Sequence, residues 1–281
     1  MASQAPIQNE IILEVTVKLD SGLQTDPDTR PETNPSPKLS PKLVKSEAHT
    51  VPLEKYIEPH LPPPPPEIDW TKGVTDWGAM LNDKYGDCTI AAAAHAVQVW
   101  SLNTGGEVTV PDEQILRYYQ LWDGYNPEDP TTDKGTAPMT ALLAWQNSDL
   151  SAHKLLAFAD LDFTNLDQVR LAVALFGGIY AGFKLPQTAR HQLIWDVDPT
   201  AGDLAKPSSW GGHAAYIVKY DQHSFTCISW GKLKTLTIEF WHQYTDEAHA
   251  LLSPDWISAK GAPSGFDLDQ LQADLELLHH G

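Results

Sequence analysis

Two hydrophobic periods run along this chain. Between residues 88 and 176 apolar side chains recur mainly at helical spacing, and from Gly212 they alternate every second residue. The Ala-rich run Ala91-Ala92-Ala93-Ala94-His95-Ala96-Val97 follows a loop of turn formers (Asn82, Asp83, Gly86, Asp87) and predicts a helix starting at Cys88. Residues 111–120 open on Pro111 and two acids, then carry Ile115, Leu116 and Tyr119 at helical spacing, which predicts a second helix. Residues 137–146 predict a third. Residues 166–176 predict a fourth, on the stripe Leu166, Val169, Ala172, Val173 and Phe176, stopped by Gly177-Gly178. Short strands are expected at 154–158 and 179–183.

The alternating half reads as an antiparallel meander of strands at 214–220, 224–230 and 233–239, joined by Asp221-Gln222-His223 and by Gly231-Lys232. A short helix is expected at 240–247, a strand at 248–252 and an amphipathic C-terminal helix at about 266–279. Helices first and an antiparallel sheet second predict an α+β domain over 67–281. Its helical half spans about 67–176 and its sheet half about 177–265.

Residues 1–66 differ in pattern. The β-branched run from Glu10 to Leu19 predicts one strand, which must pair with the main domain or with a neighbour. Residues 20–50 are rich in Pro, Ser, Thr, Asp and Lys, too polar to bury the area that ordering requires. Pro62 to Pro66 form a polyproline spacer of roughly 15 Å. The segment reads as a tail and linker, with a docking arm as the functional alternative.

Composition narrows the function. A formal charge of −18 argues against phosphate backbones as a partner, so no nucleic acid is expected. No run approaches the roughly 18 apolar residues of a membrane span. The first thirty residues lack the basic start and apolar stretch of a secretory signal, so a cytoplasmic location or export by another route is expected. Two cysteines allow neither a disulfide framework nor a four-cysteine zinc site, and both read as thiols. Asp160, Asp162 and Asp167, or Asp196 and Asp198, lack the spacing of a calcium loop and read as solvated loop. Neither a metal nor a cofactor is expected.

The chemistry concentrates at Cys88. A thiol at a helix start faces backbone N–H groups and the positive end of the helix dipole, which favour thiolate. The same position suits a small buried hydrophobe. A nucleophile needs a base, and 11 histidines are available. His95 lies seven residues along the same helix, about 10 Å away, and reads as a core or helix-face residue. His153, His191, His223, His242 and His249 are assigned to loops or element ends. His213 follows Gly211-Gly212, whose backbone permits close approach, and opens a strand that would fix its imidazole at a sheet edge.

Three motifs then agree in order. Asp69-Trp70, Gly73-Val74-Thr75, Asn82 and Gly86-Asp87-Cys88 are similar to the mature N-terminus of the papain-like cysteine peptidases. Ser209-Trp210-Gly211-Gly212-His213-Ala214, with Val218-Lys219-Tyr220-Asp221, resembles that family's Gly-His-Ala strand. Ser229-Trp230-Gly231 resembles the tail of its Asn-Ser-Trp-Gly motif. The resemblance spans roughly residues 68–255. It implies a papain-like fold, Cys88 as nucleophile, His213 as base, and Asn82 with the Cys88 backbone N–H as oxyanion donors. It also implies Trp230 as a shield for the base, with Gly86, Asp87 and Gly212 lining the cleft, and a peptide or protein as substrate.

The chain departs from that pattern in two places. The family's orienting Asn aligns with Ile228, which accepts no hydrogen bond, so Ser229 serves only if the register moves by one. Thr89 and Ile90 follow the cysteine where the family has another run. The leading expectation is a thiol-dependent peptidase or amidase working through an acyl-enzyme. The alternatives are a degenerate papain-like domain used for binding or assembly, and a transferase on the same scaffold.

Overall fold

The computed structural model describes residues 63–256. The N-terminal strand, most of the proline-rich arm and the C-terminal helix expected from the sequence lie outside the described residues. The chain enters through β1 (Ile68–Asp69), which is followed by α1 (Cys88–Thr104), α2 (Asp112–Asp123) and α3 (Pro138–Asn147). Next come β2 (Ala157–Asp160), α4 (Leu166–Phe176), β3 (Ile179–Leu185) and β4 (Gly211–Tyr220). The chain continues through β5 (Ser224–Ser229), β6 (Lys232–Thr237), α5 (Ile238–Tyr244) and β7 (Thr245–Leu252). Among the described residues these strands form one sheet in the order β2-β7-β3-β4-β5-β6, with β1 paired to the end of β4. All the pairings are antiparallel.

The helices form where expected because their apolar stripes meet a partner. α1 is an exception to amphipathic patterning: it is buried from Cys88 through Ser101, with small alanines letting it lie directly against the sheet. Tyr180, Ala214, Tyr216 and Ile228 belong to the same core as α1. A second core, with Val169, Phe183, Trp195, Phe225 and Trp241, packs under α4 and α5. Period two therefore sorts the sheet into two faces, and α1 covers one of them.

Element ends moved where side chains alone had set them. The expected strand at 233–239 stops at Thr237, whose hydroxyl accepts from the Phe240 N–H and caps α5 at 3.1 Å. α5 accordingly begins at Ile238 and ends at Tyr244, and β7 begins three residues earlier than expected. Trp230 is the turn residue after β5, in the left-handed region at φ 48, and not its last strand position.

His249 requires a larger correction. It lies inside β7, 2% exposed, and not at an element end. Nδ1 faces Asp160 and Nε2 faces Glu247, both at 2.9 Å. Asp160 is therefore part of a buried ion cluster, and not of a solvated loop. Burial alone would depress this imidazole, but the two carboxylates prevail and raise it to about 9. The folded state holds a proton that the unfolded chain, near 6.5, releases first. This stabilisation is complete below about pH 6.5 and is lost as pH rises through about 9. Urea unfolding should show a loss on the order of 3 kcal/mol across that window, and His249→Gln should flatten it.

Candidate active site

Cys88 opens α1 exactly at the junction of the Gly86-Asp87 loop and the helix, 0% exposed. Its sulfur receives the backbone N–H of Ala214 at 3.4 Å. The thiol thus lies against the peptide joining His213 to Ala214, a backbone contact that links α1 to β4 across 126 residues.

His213 is also buried. Its Nε2 and the Ser229 Oγ form a hydrogen bond of 2.8 Å, and its ring stacks on Trp230 with centroids 4.3 Å apart. Nδ1 has no hydrogen-bond partner. Strand register explains why Ser229, and not Ile228, meets the imidazole. Tyr216 stands opposite Ile228, so Ala215 stands opposite Ser229. Ser229 and His213 are then diagonal neighbours on one face, while Ile228 points to the other with Tyr216.

Desolvation sets the electrostatics. Burial pushes the Cys88 thiol up to about 12, although N–H groups of Ala214 and Thr89 pull the other way. Burial also takes His213 down to about 3. The helix start alone was expected to favour thiolate; the absence of water around the sulfur overrides it. At neutral pH both groups are uncharged in this arrangement.

Asn82 is 4% exposed, and its amide nitrogen donates to Asp87 Oδ1 at 3.2 Å and to the Tyr85 carbonyl at 3.4 Å. The loop that carries it is strained, because Met80 and Leu81 both adopt left-handed backbone, at φ 50 and 65. Two anchors hold it. His95 Nε2 donates to the Gly78 carbonyl at 3.0 Å, and the Trp77 N–H donates to the Gly231 carbonyl at 2.8 Å. His95 is therefore a buried structural residue, kept neutral with its pKa lowered to about 4 by burial.

Asp133 was not singled out by its sequence context. Its Oδ1 accepts both the Gly86 N–H and the Tyr119 hydroxyl at 2.7 Å, fixing the loop one residue before Asp87. It stands 47 residues from Gly86 in a polar loop, and no local pattern marks such a contact. Tyr180 is another such residue: its hydroxyl donates to the Thr89 carbonyl at 3.0 Å and ties β3 to the first turn of α1. Gly212 pairs with Lys184 in the ladder just before His213. Trp210 packs tilted beside Trp230, ring centroids 5.6 Å apart, extending the indole wall against the imidazole. Among the described residues no group of three or more His, Cys, Asp or Glu could hold a metal ion, and no helix is long and apolar enough to cross a membrane.

No protein-family model and no curated protein sequence matches this chain. Solved structures do match it in fold. Procathepsin L 3 from the larval midgut of Tenebrio molitor superposes with a TM-score of 0.53 at 13% identity, over 72% of this chain and 73% of that one. The ragweed pollen allergen Amb a 11, a cysteine protease in its proform, gives 0.50 at 14% identity over 71% and 68%. The cysteine protease and lectin-like domains of Cwp84 from Clostridium difficile give 0.50 at 10% identity, over 70% of this chain and 54% of that one. The chain has the papain-like fold.

Gly231 tests how the site is built. It sits at φ 75, and a Cβ there would lie 2.4 Å from the Gly78 carbonyl carbon. Gly231→Ala should lower stability by more than about 1 kcal/mol in urea unfolding, because the obstruction is backbone and cannot swing aside.

Proposed function

We propose that this protein is a thiol-dependent hydrolase that cleaves a peptide or amide bond through an acyl-enzyme. The observation that carries the proposal is the meeting of Cys88 Sγ with the His213–Ala214 peptide, beside an imidazole oriented by Ser229. The likeness of fold to cysteine proteases supports it.

In this mechanism the neutral imidazole donates Nε2–H to Ser229 Oγ and keeps its lone pair on Nδ1. As Cys88 Sγ attacks the substrate carbonyl carbon, the thiol proton passes to Nδ1, and the carbonyl oxygen becomes an oxyanion. N–H groups at the start of α1, which lack intrahelical partners, and the Asn82 amide steady that charge. The C–N bond breaks, the leaving amine takes the proton from Nδ1, and a thioester remains. Water then attacks the thioester, gives a proton to His213, and the thiol is restored as the acid product leaves. Because both groups rest uncharged, the proton moves on encounter with substrate and is not transferred beforehand.

A second reading has specific support. The thiol is fully buried with its pKa raised, and the Asn82 amide is already engaged within the protein. A papain-like domain that binds without turnover would also look like this. A substrate-like electrophile separates the two: an enzyme should lose activity and gain one adduct at Cys88 with a peptidyl nitrile or aldehyde at neutral pH. A binding domain should resist modification. Mass spectrometry of peptide products distinguishes hydrolysis from transfer.

Cys88→Ala should abolish cleavage, and His213→Ala should reduce kcat by roughly three orders of magnitude or more. Ser229→Ala should cost about tenfold in kcat with little change in KM, since it orients the base without touching substrate. Steady-state kinetics on a fluorogenic peptide would measure all three. Unchanged turnover in Cys88→Ala would overturn the proposal.

A further inference from the structure

Asp87 stands immediately before the nucleophile, and neither its burial nor its bonding suits a carboxylate. It is 0% exposed. Oδ1 accepts from Asn82 Nδ2 at 3.2 Å, while Oδ2 is buried without a hydrogen-bond partner. The charges acting on it are negative: Asp133, which binds the Gly86 N–H one residue away, and Asp83. A carboxylate here would be a desolvated anion beside other anions, with a bare oxygen. A carboxylic acid avoids the larger of these costs, the buried charge. The proton then belongs on Oδ2, because Oδ1 is the acceptor for Asn82.

The Asn82 amide, in turn, is not aimed by its own loop alone. Its two N–H bonds end on Asp87 and on the Tyr85 carbonyl, and the preceding Met80 and Leu81 are held in left-handed backbone. Without Asp87, the side chain would lose its stronger tether on the side of the nucleophile.

We infer that Asp87 is a positioning residue that acts as a neutral carboxylic acid and holds the Asn82 amide in place on the side of the nucleophile. Neutrality matters twice. It keeps a full negative charge from standing next to a sulfur that must become anionic during attack. It also lets Oδ1 remain the acceptor of the Asn82 amide without a buried charge, as a carboxyl in an apolar site stays protonated. This inference rests on the proposed hydrolase reading for its consequence in turnover, but the protonation and the Asn82 tether do not depend on it.

The test uses the full chain and two kinds of measurement. Carbon-13 spectra of labelled aspartate should place the Asp87 carboxyl in its protonated form at pH 7. Hydrogen exchange should show the Asn82 side-chain amide protected in the wild type and in Asp87→Asn, and exposed in Asp87→Ala. These readings hold whether or not the protein turns over, so a protein that cleaves nothing yet shows them overturns the hydrolase reading alone. Where turnover is measured, Asp87→Ala should lower kcat roughly tenfold to a hundredfold at unchanged KM, below the hundredfold to thousandfold of an outright lost oxyanion donor. Asp87→Asn, neutral and of the same shape, should restore most of that loss. An ionised Asp87 at pH 7, or Asn82 protection indifferent to Asp87→Ala, would overturn the inference. Should Asp87→Ala fail to fold, the wild-type carbon-13 reading and the Asp87→Asn exchange still decide it.

Discussion

The contact between the first turn of α1 and the start of β4 excludes water, and that exclusion governs what the site can do. Moving the Cys88 thiol from its ordinary 9.0 to about 12 corresponds to about 4 kcal/mol, and moving His213 from 6.5 to about 3 corresponds to a similar amount. A helix start offers a thiolate roughly 0.3–1 kcal/mol at an exposed position, up to about 2 when partly buried. Attraction within a contact ion pair amounts to about 4 kcal/mol at an effective dielectric constant of 20. Even together these do not offset the two desolvation terms. The closed structure therefore holds the thiol and the imidazole both neutral.

The same constraint orders the loop that precedes the cysteine. Asp133 is well supplied with donors, receiving the Gly86 N–H and the Tyr119 hydroxyl, whereas Asp87 has one donor from another residue's side chain and an orphan oxygen. The two carboxyls come from different loops that meet at Gly86, and they differ in how many donors each receives. The roles separate accordingly: Asp133 anchors the backbone at Gly86, while burial pushes the Asp87 carboxyl well above the usual carboxylate range beside the sulfur. Strain at Met80 and Leu81 is tolerated because His95 and Gly231 hold the segment from opposite sides.

Much of this was legible in the sequence, and the limits have physical causes. Residues 166–176 carried both periodicity and caps, and α4 has those bounds. The Ala-rich run after Cys88 located α1, and alternation located β4, β5 and β6. Strand ends were less legible because a side-chain pattern cannot see a cap such as Thr237, which ended β6 early to begin α5. Ile228 in place of an orienting Asn was plain in the sequence, but its consequence was not. Only the β4–β5 register shows that Ser229 shares a face with His213. His249 was illegible for another reason: its two carboxylate partners come from β2 and from two residues away in β7, and only their pairing across the sheet makes a cluster of them.

The faces of the sheet finally explain why so little sequence likeness suffices for this arrangement. Ala214 and Ile228 face α1 and belong to the core that seats the cysteine, while His213 and Ser229 face the indole wall of Trp195, Trp210 and Trp230. Adjacent residues on one strand thus serve opposite sides: Ala214 fixes the sulfur through its backbone N–H, and His213 presents its ring to Ser229 and Trp230. Since the donor to sulfur is backbone, its geometry depends on register and not on side-chain identity. Cys88, His213 and Ser229 are each fixed by their place at a helix start or on a strand. A sequence can drift widely around such a frame while the period of two and the α1 junction keep the thiol against the backbone of β4.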